Sequence, residues 1–350
     1  MQVQSASTAN QRIDWVDYAK GICIILVVMM HSTLGVEAAL GEVSWLNAFI
    51  EWARPFRMPD FFLISGLFLA SRINRPWRDY LDTKLVHFAY FYILWMTIQF
   101  GFKGPGLASE YGAGGAVQFY IEGFFQPFGT LWFIYLLGVF FVAAKLLHRM
   151  PSVVVWLGAA ILETANIHTG WMVADEFAGR FVYFYSGYIL APHIFALAKQ
   201  FRALGIAALL AGLEIWAVFN GYMVTGGYAH LPGFSLVLGM VGIAAIIAAS
   251  VLFSRFKFMD WLRYCGENSI VIYLSFFVFM AATRIALLKL GLVYEAGVMS
   301  LIVTAAGVLG PVLLFQAVRH TPLKFLFERP AMFRIGSATQ RWSVKGRSVE

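Results

Sequence analysis

Charge is what this chain has least of. Asp, Glu, Lys and Arg make up 13% of its 350 residues, against roughly 25% in an ordinary soluble domain. That shortage excludes a water-solvated fold of this size, and the solvent that tolerates so little charge is a lipid bilayer. Cysteine is nearly absent. Cys23 and Cys265 are the two, both near expected cytoplasmic helix ends, so neither a disulfide framework nor a thiolate metal site is expected. The seven histidines show no paired ligand spacing, which argues against a bound metal. The opening residues are polar and lack a basic region ahead of an apolar core. No cleaved signal is read there, and residues 1–16 are expected to be a cytoplasmic tail. No internal repeat of the kind that builds inverted-repeat transporters is visible.

What is present is apolar. Hydrophobic residues make up 60% and aromatics 17%, and the mean hydropathy is +0.72. Runs of roughly 17–25 apolar residues mark spanning helices. They are read at 17–37, 57–72, 84–103, 130–148, 152–168, 180–198, 203–223, 233–253, 268–289 and 297–318. The expected fold is therefore all-α: a polytopic transmembrane helical bundle of about ten spans. Its membrane domain covers 17–320, and 321–350 form a second cytoplasmic tail. With the N-terminus inside and the spans alternating, all but six of the 26 Lys and Arg residues fall on the cytoplasmic side. The six are Arg54, Arg57, Lys103, Arg180, Arg284 and Lys289. Cytoplasmic loops carry this excess, so the net charge of +7 is assigned to orientation and not to nucleic acid. One long connection, 104–129, is read as an outer loop, either a re-entrant segment over a cavity or a plain surface loop.

Ionisable residues inside spans normally face the bundle interior. His31 lies about 21 Å beyond the inner end of the first span at 1.5 Å per residue. Arg57 and Asp60 are one turn apart on the second, where they are expected to share a face. Glu163, Arg180, Glu214 and Arg284 follow on the fifth, sixth, seventh and ninth. Together they are expected to surround one polar cavity in the outer half of the bundle. Taken singly, each is also explained as an interhelical pair or as an arginine reaching the headgroups.

Two stretches carry a resemblance. The first runs Asp17-Tyr-Ala-Lys20-Gly21 and continues through apolar residues to His31. The second is Arg57-Met-Pro-Asp60-Phe-Phe-Leu-Ile-Ser65-Gly66. Leu131-Trp132-Phe133 and Gly266-x-x-Ser269-x-x-x-Tyr273-Leu274 add weaker echoes. With these motifs the chain resembles the membrane acyltransferase-3 family, whose members move acyl groups onto glycans and other exported acceptors. It departs at three positions. Lys20 replaces an arginine and loses the bidentate fork. Asp60 replaces an apolar residue. Phe276 stands where a histidine commonly follows the Tyr-Leu pair, which leaves His31 as the transmembrane histidine within a matching motif.

The resemblance implies a thioester substrate, acetyl- or succinyl-coenzyme A, with no bound cofactor, and a hydroxyl acceptor on a saccharide or glycolipid. It implies a multi-pass protein of the bacterial cytoplasmic membrane. His31 would act as general base or as a covalent carrier. Asp17 and Lys20, with Arg72, Arg75 and Arg78 on the adjoining loop, would meet the coenzyme phosphates, although positive-inside bias explains that loop as well. Arg57, Asp60, Glu163, Arg180, Glu214 and Arg284 would hold the acceptor or a developing oxyanion. A transporter or flippase without acyl chemistry is the rival reading, and a homo-oligomer is left open.

Overall fold

The computed structural model describes residues 13–291 and 295–335. Arg12 and most of the N-terminal tail lie outside them, as do Arg341, Lys345 and Arg347 at the end of the C-terminal tail. Among the described residues the chain is all helical, without a strand. In hydrocarbon a helix closes its own backbone hydrogen bonds, and that alone makes it the spanning element of choice here.

The helices are α1 (Asp14–Leu40), α2 (Leu46–Gly66), α3 (Trp77–Leu81), α4 (His87–Glu122), α5 (Trp132–Leu147), α6 (Ser152–Thr164), α7 (Met172–Ile189) and α8 (Ala191–Ala203). They are followed by α9 (Ile206–Thr225), α10 (Phe234–Phe253), α11 (Asp260–Glu267), α12 (Ser269–Leu290) and α13 (Ala296–Val318). A π-helical turn, Asp82–Val86, joins α3 to α4 without a break. Six of these stretches are long and apolar enough to cross a membrane: α1, the α3–α4 rod, α9, α10, α12 and α13. A seventh is added if α7 and α8, bent by 76° at their junction, are one broken span. Helices α5 and α6 are apolar but shorter.

Besides the sixth expected span, 180–198, which starts at Met172 and breaks into α7 and α8, two boundaries differ from the sequence reading. The second helix starts at Leu46, well before 57, and ends at Gly66, where the chain turns through 67–75. Glu51, Arg54 and Arg57 hide its first half from a hydropathy reading. The expected outer loop 104–129 is helical as far as Glu122. Gly104, Pro105 and Gly106 look like breakers, yet the helix runs through them and bends only at Gly112, whose φ of 75° and ψ of 168° are open to glycine.

Helix α1 is the hub. It packs against α2, α10, α11, α12 and α13, and its buried face holds Ile24, Val27 and Val28. Glycine sets its tightest crossing. A β-carbon on Gly21 would overlap the Leu262 carbonyl oxygen of α11, and one on Gly266 would overlap the Asp17 carbonyl oxygen of α1. Gly66 and Gly187 face each other's helices in the same reciprocal way where α2 crosses α7. Two helix backbones come this close only where no side chain intervenes. Three motif glycines, Gly21, Gly66 and Gly266, are thus packing positions.

Replacing Gly266 by Ala forces α1 and α11 apart and is expected to lower stability by about 1–3 kcal/mol. Gly101→Ala, which meets open space, serves as the control. Thermal unfolding in detergent measures both, and equal melting temperatures would refute the close-packing account.

Candidate active site

Lys20 and His31 lie eleven residues apart on α1, about three turns, so they share one face of the helix. That face fronts two cavities in line. The larger, about 200 Å³, opens near the start of α1. Its polar lining is Lys20, Ser65, Lys84, Ser269 and Tyr273, and its walls are Phe61, Phe88, Phe133, Leu137 and Phe141. The smaller, about 10 Å³, is a chamber at His31 bounded by Val27, Met58, Thr130 and Trp132. Its volume is on the order of a single water. Phe61, Phe133 and Tyr273 line both cavities and form the one layer between them.

That layer is built rigidly. The Phe61 and Phe133 rings lie 4.7 Å apart, and Phe133 and Tyr273 5.5 Å apart. The Tyr273 hydroxyl donates to the Thr130 carbonyl oxygen at 2.6 Å and accepts from the Phe133 backbone N–H at 3.1 Å. Tyr273 thereby fixes the start of α5 and with it the Phe133 ring. Residues from all four sequence motifs meet here: Lys20 and His31, then Phe61 and Ser65, then Phe133, then Ser269 and Tyr273.

At the open end, Asp17 is buried and pairs with Lys20 at 3.2 Å. Lys84 sits over the Phe141 ring at 4.2 Å, within Coulombic reach of Arg72 and Arg75. Hydropathy gave Lys84 no role beyond orientation; the π-helical turn that aims it carries no sequence signature. Partial burial, and then the neighbouring Arg75, hold the Arg72 guanidinium below its ordinary range. Like charges crowded this way favour an anion between them. The loop is braced from beneath by Lys145 of α5, a buried cation that donates to the Ile73 carbonyl and, at 2.9 Å, to that of Arg75. Arg78 is engaged differently: its Nε donates to the Ile335 carbonyl of the C-terminal segment at 2.5 Å. That segment is anchored by a buried Arg329–Asp82 pair at 3.0 Å.

Around His31 the charges are all positive. The imidazole packs on Phe276, ring centroids 5.4 Å apart, and has no hydrogen-bond partner among the described residues. Arg57 and Lys103 lie within its Coulombic reach. Arg57 is buried, with Nη1 donating to the Ile50 carbonyl at 3.2 Å and Nε unpartnered. Arg284 donates to the Gly35 carbonyl at 2.7 Å, one turn beyond His31 on α1, and lies near Lys103. Lys103, missed as a site residue, spreads over the Phe277 ring at 4.7 Å; its position at the end of an expected span looked like ordinary headgroup anchoring.

The single shared cavity expected for the buried charges is not what the helices build. Arg57 and Asp60 do not pair. Arg57 reaches back along α2 while Asp60, 1% exposed, faces Cys23 on α1 with Oδ2 unpartnered. Glu163 and Arg180 line a separate cavity of about 630 Å³ between α2, α6, α7 and α10. There Arg180 pairs with Glu176 and Arg54 with Glu51, both at 3.2 Å. Glu163 accepts from the Tyr183 hydroxyl at 3.2 Å, and its Oε2 is free of partners. Glu214 belongs to neither site. It is exposed on the outward face of α9, which packs on the bundle chiefly through α10 and α2.

Fold and site together define a multi-pass helical membrane protein with a histidine chamber behind a cation-lined cavity. The acyltransferase-3 family, described as an acyltransferase domain, is matched by residues 13–316, and the chain belongs to it. It is similar to inner membrane protein YcfT of Escherichia coli K12, 25% identical over 295 residues that cover 75% of this chain and 78% of that protein. No solved structure matches it. Acyl transfer is the activity the family indicates.

Lys145→Met strands two loop carbonyls and is expected to remove about 1–3 kcal/mol of stability and to increase hydrogen exchange across 72–75. Unchanged exchange there would remove the brace.

Proposed function

We propose that the protein is an O-acyltransferase that carries an acetyl or succinyl group from cytoplasmic acyl-coenzyme A to a hydroxyl of an exported saccharide or glycolipid. The observation that carries this reading is the line from Lys20 to His31: a cation-lined cavity, one aromatic layer, then an imidazole within Coulombic reach of Arg57 and Lys103, with Arg284 bonded to α1 one turn beyond. The topology is ten spans, obtained by counting α2, α5, α6 and the bent α7–α8 pair with the six long apolar stretches. Both termini are cytoplasmic, which puts the basic loops inside. The membrane is the bacterial cytoplasmic one, as the printed name of the Escherichia coli relative supports.

In this reading the coenzyme phosphates meet Lys20, Lys84, Arg72 and Arg75, and the pantetheine arm passes the aromatic layer once Phe61 or Phe133 swings aside. A ring nitrogen of His31 takes the proton of the acceptor hydroxyl as its oxygen attacks the thioester carbonyl. The oxyanion that forms is stabilised by the surrounding cations. It collapses to the ester and expels the coenzyme thiolate, which recovers the proton from the imidazolium. Phe276 offers no second base beside His31, so one imidazole handles both proton transfers.

In this reading the acceptor docks in the 630 Å³ cavity, and a helix movement joins that cavity to the His31 chamber, with which it shares no lining residue. Its two arginines are already neutralised by Glu51 and Glu176, while Asp175 adds negative charge. Like-charge repulsion therefore disfavours an acidic glycan and favours a neutral or amine-bearing one.

In nanodiscs loaded with acetyl- or succinyl-coenzyme A and a saccharide acceptor, His31→Ala is expected to lower transfer on the order of 10²–10⁴-fold with its melting curve unchanged. Full activity in that folded variant would sink the assignment. Lys20→Ala is expected to raise the KM for the acyl donor about tenfold, and Glu163→Gln to shift the acceptor KM alone. An unchanged donor KM would take Lys20 out of the donor site.

A further inference from the structure

Glu214 is an ionisable side chain of a candidate span that lines no cavity and touches no other charge described above. It sits eight residues from the start of α9 and eleven from its end, near the middle of a stretch apolar and long enough to cross the membrane. At that depth a carboxyl normally turns inward to a polar partner. This one is exposed and has no hydrogen bond or ion pair among the described residues. Ile215 and Val218 beside it are 71% and 70% exposed, so the face it occupies belongs to the lipid boundary of the single chain.

We propose that this face of α9 is an intramembrane interface with a second copy of the chain, centred on Glu214. The i−7, i−4, i−3 and i+4 neighbours of Glu214 on its stripe are Ala207, Leu210, Ala211 and Val218. The two alanines leave room for a partner backbone to approach beside the carboxyl. Symmetry selects the occupant. Copies inserted in the same orientation are related by a two-fold axis along the membrane normal, which places identical residues at identical depth and makes the contact isologous. Glu214 then meets Glu214. A carboxyl pair that holds a proton between its oxygens both donates and accepts, so the group is complementary to itself. Within the chain α9 is held through other residues: Trp52 Nε1 donates to the Ala217 carbonyl at 3.1 Å, Asn220 Nδ2 donates to the Trp52 carbonyl at 2.7 Å, and Trp216 packs on Trp52 and Phe56.

The test uses the full chain in its native membrane. The two natural cysteines are buried, so a cysteine introduced at Ala211 reports alone. Ala211→Cys is expected to give a disulfide-linked dimer on mild oxidation. Adding Glu214→Leu should lower the cross-linked fraction at least fivefold, and Glu214→Gln, which keeps donor and acceptor, should retain it. Leu313→Cys on the exposed face of α13 is the collision control. Melting curves of the Glu214 variants that match the parent show that the fold is kept. The proposal is overturned if Ala211→Cys links no better than Leu313→Cys, if Glu214→Leu leaves the linked fraction intact, or if the linked partner is a different protein. It is also overturned if the parent chain is a monomer by native mass measurement from nanodiscs.

Discussion

A titratable ring deep in a bilayer protein is useful only if it is kept out of lipid and yet remains reachable. Helix α1 meets both conditions at once. Its three-turn spacing of Lys20 and His31 sets a cation at the mouth of the larger cavity and an imidazole on the same face deeper in the bundle. Five helices pack around it, so the stripe between those residues looks onto protein and cavity. The glycine crossings exist to permit that density. With Gly21 against Leu262 and Gly266 against Asp17, α11 comes close enough to set Ser269 into the wall of the larger cavity, and α12 continues from there to present Tyr273 and Phe276. The site is therefore a product of how closely α1 can be approached.

Much of this was legible in the sequence because bilayer physics writes large signals. Most helix centres fell where hydropathy put them, and the motif residues from Lys20 to Tyr273 do converge. What failed were inferences that needed side-chain direction. Depth placed His31, Arg57, Asp60, Glu163, Arg180, Glu214 and Arg284 in one zone, but depth does not say which way a residue points. A helix has a face towards lipid as well as a face towards protein, and α9 turns Glu214 to the first. Arg57 and Asp60, three residues apart, diverge by part of a turn, enough to send one towards Ile50 and the other towards Cys23. The helical character of 104–122 was hidden by glycines that read as loop signals and are tolerated within a helix that bends only at Gly112. Lys84 and Lys145 were invisible as functional groups because an inside lysine has a sufficient explanation in orientation alone.

The departures from the family pattern make physical sense together. Lys20 gives up a guanidinium fork for a point charge. Asp17 holds that charge at 3.2 Å, and Lys84 supplies a second one across the cavity, so two lysines present separated positive charge where a fork would present it at one place. Phe276 gives up an imidazole for a ring that packs on His31 and supports its orientation without competing for its proton. Neither of these two substitutions removes a charge from the Lys20 end or adds an acid to the histidine chamber; for the third departure, the buried Asp60 with its unpartnered Oδ2, the structure gives no account.

Between those ends stands the layer of Phe61, Phe133 and Tyr273, and under the proposed acyl transfer its construction bears on how a thioester would be kept from water. Water that followed the donor to His31 would accept the acyl group as readily as a sugar hydroxyl does. A chamber with room for about one water, closed towards Lys20 by aromatic rings, would in that reading keep bulk water away until the acyl arm itself displaced a ring. Tyr273 is tied to the backbone by two hydrogen bonds, whereas Phe61 is held by packing alone, so Phe61 is the cheaper ring to move. Closure by dispersion contacts is reversible at small cost, while closure by buried hydrogen bonds would not be. The division of the layer into one ring tied by hydrogen bonds, Tyr273, and two held by packing, Phe61 and Phe133, is what would let the same barrier exclude water and admit a chain.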